Sequence, residues 1–249
     1  DIDLDELSDF VLEVPLEGKL NASGFIATPF NKFQFSGAAN ILQFKIKKQL
    51  VGDINLNSNW VGSNKSIALN GDLVYKGNQT FEFVGDYYPQ KEKNNLDFNL
   101  VFDYTDIQFV NAFLNPEILS EIKGLLKGQL KVSGSPDEPE LDGSVELIAG
   151  SAKVGILGTH FGLGGPILAD ESGFYINGIP IYDEDGNAGR VVGSVLHDNF
   201  SDFNFDLMFD LEEDAINRNP LLPWMSLPLD RFLVLNSEYK PGDLYYGRG

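Results

Sequence analysis

Apolar and polar residues alternate with a period of two along most of the chain. The clearest segment runs from Leu96 to Asp103, where Leu96, Phe98, Leu100 and Phe102 share one side of the alternation. Successive side chains of a strand point to opposite faces of a sheet, so this pattern predicts strands with one apolar face. Short polar turns separate the segments, which favours antiparallel pairing because parallel strands need long crossover connections. The sequence therefore predicts an all-β chain, mainly antiparallel.

A strand–turn–strand phrase, GQLKVSGSPDEPELDGSVEL at 128–147, has a counterpart near the start of the chain. Gly18 and Leu20 match Gly128 and Leu130 at an offset of 110 residues. Prolines and glycines break the alternation in the middle of the phrase, as expected for a turn between two strands. One such match indicates little alone, but it suggests an internal repeat.

A second phrase recurs at almost the same interval. Phe203, Phe205, Leu207 and Phe209 repeat the alternation of Leu96–Asp103 at an offset of 107 residues. Two phrases in the same order at nearly one spacing predict repeats of about 110 residues. We expect residues 1–15 to end a preceding repeat, 16–127 to form a first repeat, and 128–249 to form a second that continues it.

One segment carries helix signals. Asn115 is suited to the N-cap, Pro116 to the first helical position, and Gly124 to the end of a helix, with apolar residues on one side between them. This predicts a short helix near 116–123.

Composition sets limits on the class of protein. The 249 residues are 43% hydrophobic and 12% aromatic, which is too apolar for a disordered tail. The net charge of −19 repels nucleic acid, so we exclude a nucleic-acid partner. Cysteine is absent, which removes disulfides and thiolate metal sites. The sequence has no starting methionine, signal peptide or apolar run of about 18 residues, and we expect an internal piece of a longer protein.

The best metal candidate is the acidic turn at 183–187. Asp183, Asp185 and Asn187 stand at positions 1, 3 and 5 of a possible calcium loop. Position 6 is Ala188 instead of glycine, and position 12 is Ser194 instead of glutamate. A solvated hairpin turn is therefore the favoured interpretation, and we expect no metal or other cofactor.

Catalytic motifs are not evident. His160 and His197 are the only histidines, and neither lies in a nucleophile motif. The chain's glycines do not form a phosphate-binding loop. Paired acids such as Asp137 and Glu138 would matter only if folding placed carboxylates at a suitable separation in a cleft. We therefore expect no enzyme, and keep a carboxylate- or metal-dependent enzyme only as a minor alternative.

The remaining candidate is the apolar row itself, which includes many of the 19 phenylalanines. Periodicity alone favours the interior of a closed sandwich, where such rows face one another. The order of several phrases suggests another interpretation. The spaced glycines and prolines of 128–143, the strand of Leu96–Asp103 leading into IQFVNAFLNPEILSEIKGLLKG, the stretch IPIYDEDGNAGRVVGSVLHDNFSDFNFDL and the ending FLVLNSEYKPGDLYYG together resemble the TamB branch of the AsmA-like proteins, in a form typical of Bacteroidota.

The resemblance covers most of the chain from about Leu16. It implies an elongated, curved β-sheet folded like a taco, with an apolar groove inside and polar residues outside. The implied location is the periplasm, with the parent chain anchored in the inner membrane and reaching the outer membrane. The implied function is conduction of phospholipids between the two membranes along the groove. The implied partners are phospholipid acyl chains and, through another part of the parent chain, a BamA-like outer-membrane barrel.

On this interpretation, the apolar side of the alternating strands lines the groove. Its predicted lining residues are Phe81, Phe83, Leu96, Phe98, Leu100, Phe102, Leu130, Val132, Leu141, Val145, Leu147, Phe203, Phe205, Leu207 and Phe209. The alternative function is a periplasmic scaffold or chaperone for outer-membrane protein assembly, in which an open sheet edge pairs with a client strand.

Overall fold

The described residues form one open antiparallel sheet of 14 strands in the computed structural model. The structure describes residues 2–4, 15–28, 34–112, 114–117, 119–155, 158–184, 186, 188–198, 201–211 and 232–236. The strands are β1 (Ile2–Asp3), β2 (Leu16–Ala27), β3 (Gln34–Ile46), β4 (Gln49–Val61), β5 (Ser66–Tyr75), β6 (Asn78–Tyr87), β7 (Leu96–Asp106), β8 (Leu119–Gly134), β9 (Pro139–Val154), β10 (Thr159–Asp170), β11 (Gly173–Tyr182), β12 (Ala188–Asp198), β13 (Ser201–Leu211) and β14 (Phe232–Asn236).

Each strand pairs with its neighbour in sequence, so the order in space is the order in the chain. Tight turns produce this arrangement. Lys47 and Lys48 join β3 to β4 with φ angles of 47° and 70°, and Lys76 and Gly77 join β5 to β6 with 51° and 83°. Two consecutive residues with positive φ match the right-handed twist of a hairpin. The predicted antiparallel, all-β fold is confirmed.

The phrase at 128–147 forms the predicted strand–turn–strand. It spans parts of β8 and β9, and Ser135 and Glu138 close the turn with two backbone hydrogen bonds of 3.0 and 3.1 Å. The two recurring phrases lie six strands apart, because β2 and β3 correspond to β8 and β9, and β7 corresponds to β13. The sheet continues through residue 128, which lies inside β8. The division at 127 and 128 therefore stays a prediction.

The predicted helix near 116–123 is wrong, because β8 already begins at Leu119. The capping signal is present but supports only one turn. The Asn115 side chain accepts a hydrogen bond of 3.0 Å from the Glu117 amide, and the Asn115 carbonyl accepts one of 3.0 Å from the Leu119 amide. After this turn the backbone pairs with β9, starting at Leu119 opposite Val154. Pairing with a neighbouring strand outweighs a local helical preference.

A short 3-10 helix, Gln108–Ala112, follows β7 and shows that the sheet curls. Its Ala112 packs in a buried cluster with Leu16 of β2 and Ile46 of β3. In a flat sheet, β3 would lie about 19 Å from β7 at roughly 4.8 Å per strand. Five residues of 3-10 helix rise only about 10 Å. The sheet must therefore curve towards the face on which this helix packs.

Two contacts hold the C-terminal end of the helix. On one side, the Asn111 amide group forms two hydrogen bonds of 2.8 Å with the backbone amide and carbonyl of Ile122 in β8. On the other side, the Ala112 carbonyl accepts a hydrogen bond from the Lys47 ammonium group. The helix thus links β8 to the turn between β3 and β4 and covers that margin of the sheet.

A line of irregularities runs along the same margin. Register shifts occur near Gln43 in β3, Tyr104 in β7, Ala149 in β9 and Gly178 in β11, and all four residues have positive φ. All four strands are odd-numbered and run in the same direction, and each irregularity lies in the C-terminal half of its strand, so the four lie on the same side of the sheet's middle. Bulges bend a strand and strengthen its twist. A row of them creases the sheet along its length, consistent with the curl.

Candidate functional site

A continuous row of mainly apolar residues crosses the whole sheet on one face. Each member is the direct cross-strand partner of the next, so the row follows from backbone register. From β1 to β14 this central row is Ile2, Leu20, Ile41, Ile54, Leu73, Phe81, Phe102, Gly128, Val145, Ile167, Ile176, Gly193, Leu207 and Leu235. At roughly 4.8 Å per strand, it extends about 60 Å.

A second row runs beside the first, two residues away along each strand. Its members, from β2 to β13, are Ala22, Ala39, Leu56, Gly71, Phe83, Leu100, Leu130, Gly143, Ala169, Phe174, Val195 and Phe205. No position in either row holds a polar side chain. We call the face that carries these rows the apolar face.

The opposite face is polar, particularly on the early strands. There Asn40 donates a hydrogen bond of 2.8 Å to the Asn55 side chain, which in turn donates one of 2.8 Å to Asp72. These residues are also direct cross-strand partners. The sheet is thus amphipathic across its thickness, with a polar face on the other side of the strands.

Phenylalanine rings on β6 and β7 form an aromatic cluster on the apolar face. The ring centroids of Phe81 and Phe102 are 5.0 Å apart, and those of Phe83 and Phe98 are 6.1 Å apart. Phe83 lies against Gly71 of β5, where an added Cβ would stand 2.6 Å from the ring. Glycine opposite an aromatic residue leaves room for the ring to lie along the sheet. The result is a smooth hydrophobic surface.

The structure places most of the predicted lining residues together on this face. The cross-strand pairs and the alternation along each strand place twelve of them on the apolar face: Phe81, Phe83, Leu96, Phe98, Leu100, Phe102, Leu130, Val132, Leu141, Val145, Leu147 and Leu207. The side chains of Phe203, Phe205 and Phe209 lie outside the described residues. The backbone of Phe205 pairs with Val195, and that of Phe209 pairs with Val191.

The prediction omitted several members of the rows. Ile54, Leu73, Ile167 and Ile176 all belong to the central row. Their own strands alternate less regularly, because bulges shift the phase within them. These residues could have been found from apolar positions two residues apart within the regular part of a strand, such as Ile54 and Leu56.

Burial divides the apolar face into two parts. On β8 to β12 many of its side chains are buried, with Val145 at 6% exposed, Ile179 at 2% and Ile181 at 1%. Leu130, Leu141, Val145 and Ala169 form one packed cluster there. On β2 to β7 most described side chains of the two rows are only half-buried, although Leu73 is buried, and β2 is largely exposed. The accessible apolar surface therefore lies mainly on β2 to β7.

A charged cluster lies at the creased margin of β8 to β11. His160 of β10 contacts Glu184 at 2.8 Å through Nδ1 and Glu121 of β8 at 3.0 Å through Nε2. Lys153 of β9 lies 3.5 Å from Glu121. The hydrogen bond to Glu121, followed by that to Glu184, raises the pKa of His160 above its ordinary 6.5. The hydrogen bond from His160 lowers the pKa of Glu121 below its ordinary 4.5.

These shifts predict a pH-dependent contribution to stability. Protonated His160 donates from both nitrogens, so its contribution is complete below pH 6.5 and is lost as pH rises through the raised pKa. The Glu121 contribution is present above pH 4.5 and is lost as pH falls through the lowered pKa. The difference in melting temperature between the wild type and His160→Gln should therefore be largest between these limits. A difference that stays constant from pH 5 to 9 would contradict this prediction.

The candidate metal turn is only partly described. Asp183 accepts a backbone hydrogen bond of 3.1 Å from Gly186, which closes the turn between β11 and β12. Asp185 and Asn187 lie outside the described residues. Among the residues that are described, no group of three or more His, Cys, Asp or Glu side chains is arranged to hold a metal ion. Within the same ranges, no helix is long and apolar enough to cross a membrane.

Comparison of the chain with protein-family models, with curated proteins and with solved structures finds no match.

Proposed function

We propose that this chain is a segment of a periplasmic bridge that carries phospholipids between two membranes, with their acyl chains against the apolar face. The observation that carries the proposal is the central row, which has an apolar residue or glycine at every strand from β1 to β14. A globular core would need such residues in a compact cluster. A row of about 60 Å instead suits a ligand that moves along it.

The chemistry of the face supports a lipid more than a polar ligand. Burial of a methylene group is worth about 0.8 kcal/mol, so an acyl chain gains a large total from an unbroken hydrophobic surface. The rings of Phe81, Phe83, Phe98 and Phe102 offer this surface without a specific polar contact. Because neighbouring positions are chemically similar, a chain can move from one to the next with a small net change in free energy.

The resemblance to the TamB branch supports the same proposal and adds its cellular setting. Location in the periplasm and contact of the parent chain with a BamA-like barrel are parts of the proposal that rest on that resemblance alone.

Site-specific crosslinking tests the proposed function. A photoreactive residue placed at Phe98 on the apolar face should capture phospholipid in cells, and native mass spectrometry of the purified segment should detect the bound lipid. The matched control is Asn99, the next residue in the same strand, whose partners Val84 and Lys131 lie on the polar face. Equal labelling from Phe98 and Asn99 would contradict the assignment of faces. Capture of unfolded barrel segments without lipid would favour the scaffold alternative.

A further inference from the structure

Two properties of the sheet change between β7 and β8, and together they indicate where a lipid is held. The first is burial: one of the eleven side chains of the two rows is buried on β2 to β7, against three of seven on β8 to β12. The second is the charge of the turns at the margin opposite the crease. We call this margin the open rim, and its described turns are 62–65, 88–95, 135–138 and 171–172.

The open rim is basic beside β4 to β7. The turn 62–65 carries Lys65, and the turn 88–95 carries Lys91, Glu92 and Lys93. These two turns are two strand spacings apart, or about 10 Å. Three lysines against one glutamate make these two turns net positive in a chain of net charge −19. It provides a positive region next to the phenylalanine cluster.

Beside β8 to β11 the same rim is acidic. Asp137 and Glu138 lie in one turn and Glu171 in the next, and these two turns contain no basic residue. An anionic group is therefore attracted to the first part of the rim and repelled by the second. The change from basic to acidic turns thus coincides with the rise in the share of buried side chains on the apolar face.

We propose, on the basis of the proposed function, that β2 to β7 form the loading segment for an anionic phospholipid. Its acyl chains lie on the apolar face, where most side chains of the two rows are half-buried, and its phosphate lies at the rim near Lys65, Lys91 and Lys93. At the opposite margin, Leu16, Ile46 and Ala112 form a buried cluster beside β2 and β3, so less of the apolar face is open there.

The dimensions are compatible with one lipid. Along β7, Leu100 in the second row lies five residues beyond Asn95 at the rim, or about 17 Å, and the chains of one bilayer leaflet extend about 15 Å. A lipid with its phosphate at the rim therefore reaches the second row with its acyl chains. Six strands span about 24 Å, which leaves room for two acyl chains side by side.

Photolabelling with the unmodified chain tests the position of the lipid. The probe is phosphatidylglycerol that carries a diazirine at the end of one acyl chain, and labelled peptides are mapped by mass spectrometry. We expect at least a tenfold excess of label in peptides from β2 to β7 over those from β8 to β12. Equal labelling of the two parts would overturn the loading segment while leaving the proposed function intact. No labelling anywhere would overturn both.

A charge-matched pair of variants tests the headgroup. The triple variant Lys65→Gln, Lys91→Gln, Lys93→Gln should bind phosphatidylglycerol about tenfold more weakly at low salt and diacylglycerol with unchanged affinity. The control triple variant Lys48→Gln, Lys76→Gln, Lys123→Gln removes the same charge away from the open rim. The assignment of the phosphate to the rim would be overturned if both triple variants weakened phosphatidylglycerol binding equally. It would also be overturned if the first triple variant lost as much affinity for diacylglycerol as for phosphatidylglycerol.

Discussion

Replacing Phe83 by aspartate should abolish acyl-chain binding, with a loss of at least a hundredfold in affinity. Phe83 lies in the second apolar row, its ring is 6.1 Å from that of Phe98, and it fits against Gly71. The substitution removes an aromatic contact worth about 1.5–3 kcal/mol and places a charge on the surface proposed to hold an acyl chain. About 2.7 kcal/mol already corresponds to a hundredfold change in affinity.

The matched control is Val84→Asp, one residue further along the same strand. Val84 is 57% exposed and pairs with Asn70 and Asn99 on the polar face. This variant introduces the same charge in the same strand and should bind lipid like the wild type. Affinity for a fluorescent phospholipid and circular dichroism should be measured on both variants. Loss of binding in both would show that the apolar face does not carry the ligand.

Replacing Gly128 by alanine should lower the free energy of unfolding by roughly 2–4 kcal/mol. Gly128 has a φ angle of 144°, which side-chain-bearing residues rarely adopt, and Gly18, its counterpart in the repeat, has the same value. An added Cβ would lie 2.5 Å from the Ser144 carbonyl oxygen and 2.8 Å from the Val145 Cα. Both contacts are with the backbone of β9, which cannot move aside without breaking the sheet.

The control for this prediction is Gly186→Ala in the turn between β11 and β12. Gly186 has a φ angle of 84°, and nothing lies within 4 Å of an added Cβ. This substitution should lower the free energy of unfolding by about 1 kcal/mol, which is the cost of placing a residue with a side chain at positive φ. Urea denaturation of both variants measures the difference. If the two variants lose the same stability, close approach of β8 and β9 does not explain the glycine at 128.

The strands and their faces were predictable from local pattern, as β7 illustrates. Leu96, Phe98, Leu100 and Phe102 alternate without interruption, and all four lie on the apolar face. Beyond the bulge at Tyr104 the alternation moves by one residue, so that the odd-numbered Thr105 and Ile107 are buried where even-numbered residues would be expected. A bulge depends on how two strands fit together, and a single strand's pattern does not predict its position.

The predicted helix failed for a related reason. Asn115 and Pro116 are good helix-starting residues, and one helical turn does form there. The following residues extend because β9 offers backbone partners from Leu119 onward, and because the Asn111 side chain bonds the Ile122 backbone amide and carbonyl. A capping signal describes the local chain and contains no information about neighbouring strands.

Local geometry and recurrence within the chain were enough to predict the all-β class, the antiparallel pairing, the two-faced strands and an interval of about 110 residues between similar segments. The three-dimensional fold was needed to show that this interval corresponds to six strands and that the apolar positions align into unbroken rows. It was also needed to show that side chains of these rows are more often buried on β8 to β12 than on β2 to β7, and that His160 lies between Glu121 and Glu184. These features depend on register, bulges and curl. They arise from hydrogen bonding and packing between strands, which bring together residues far apart in the chain.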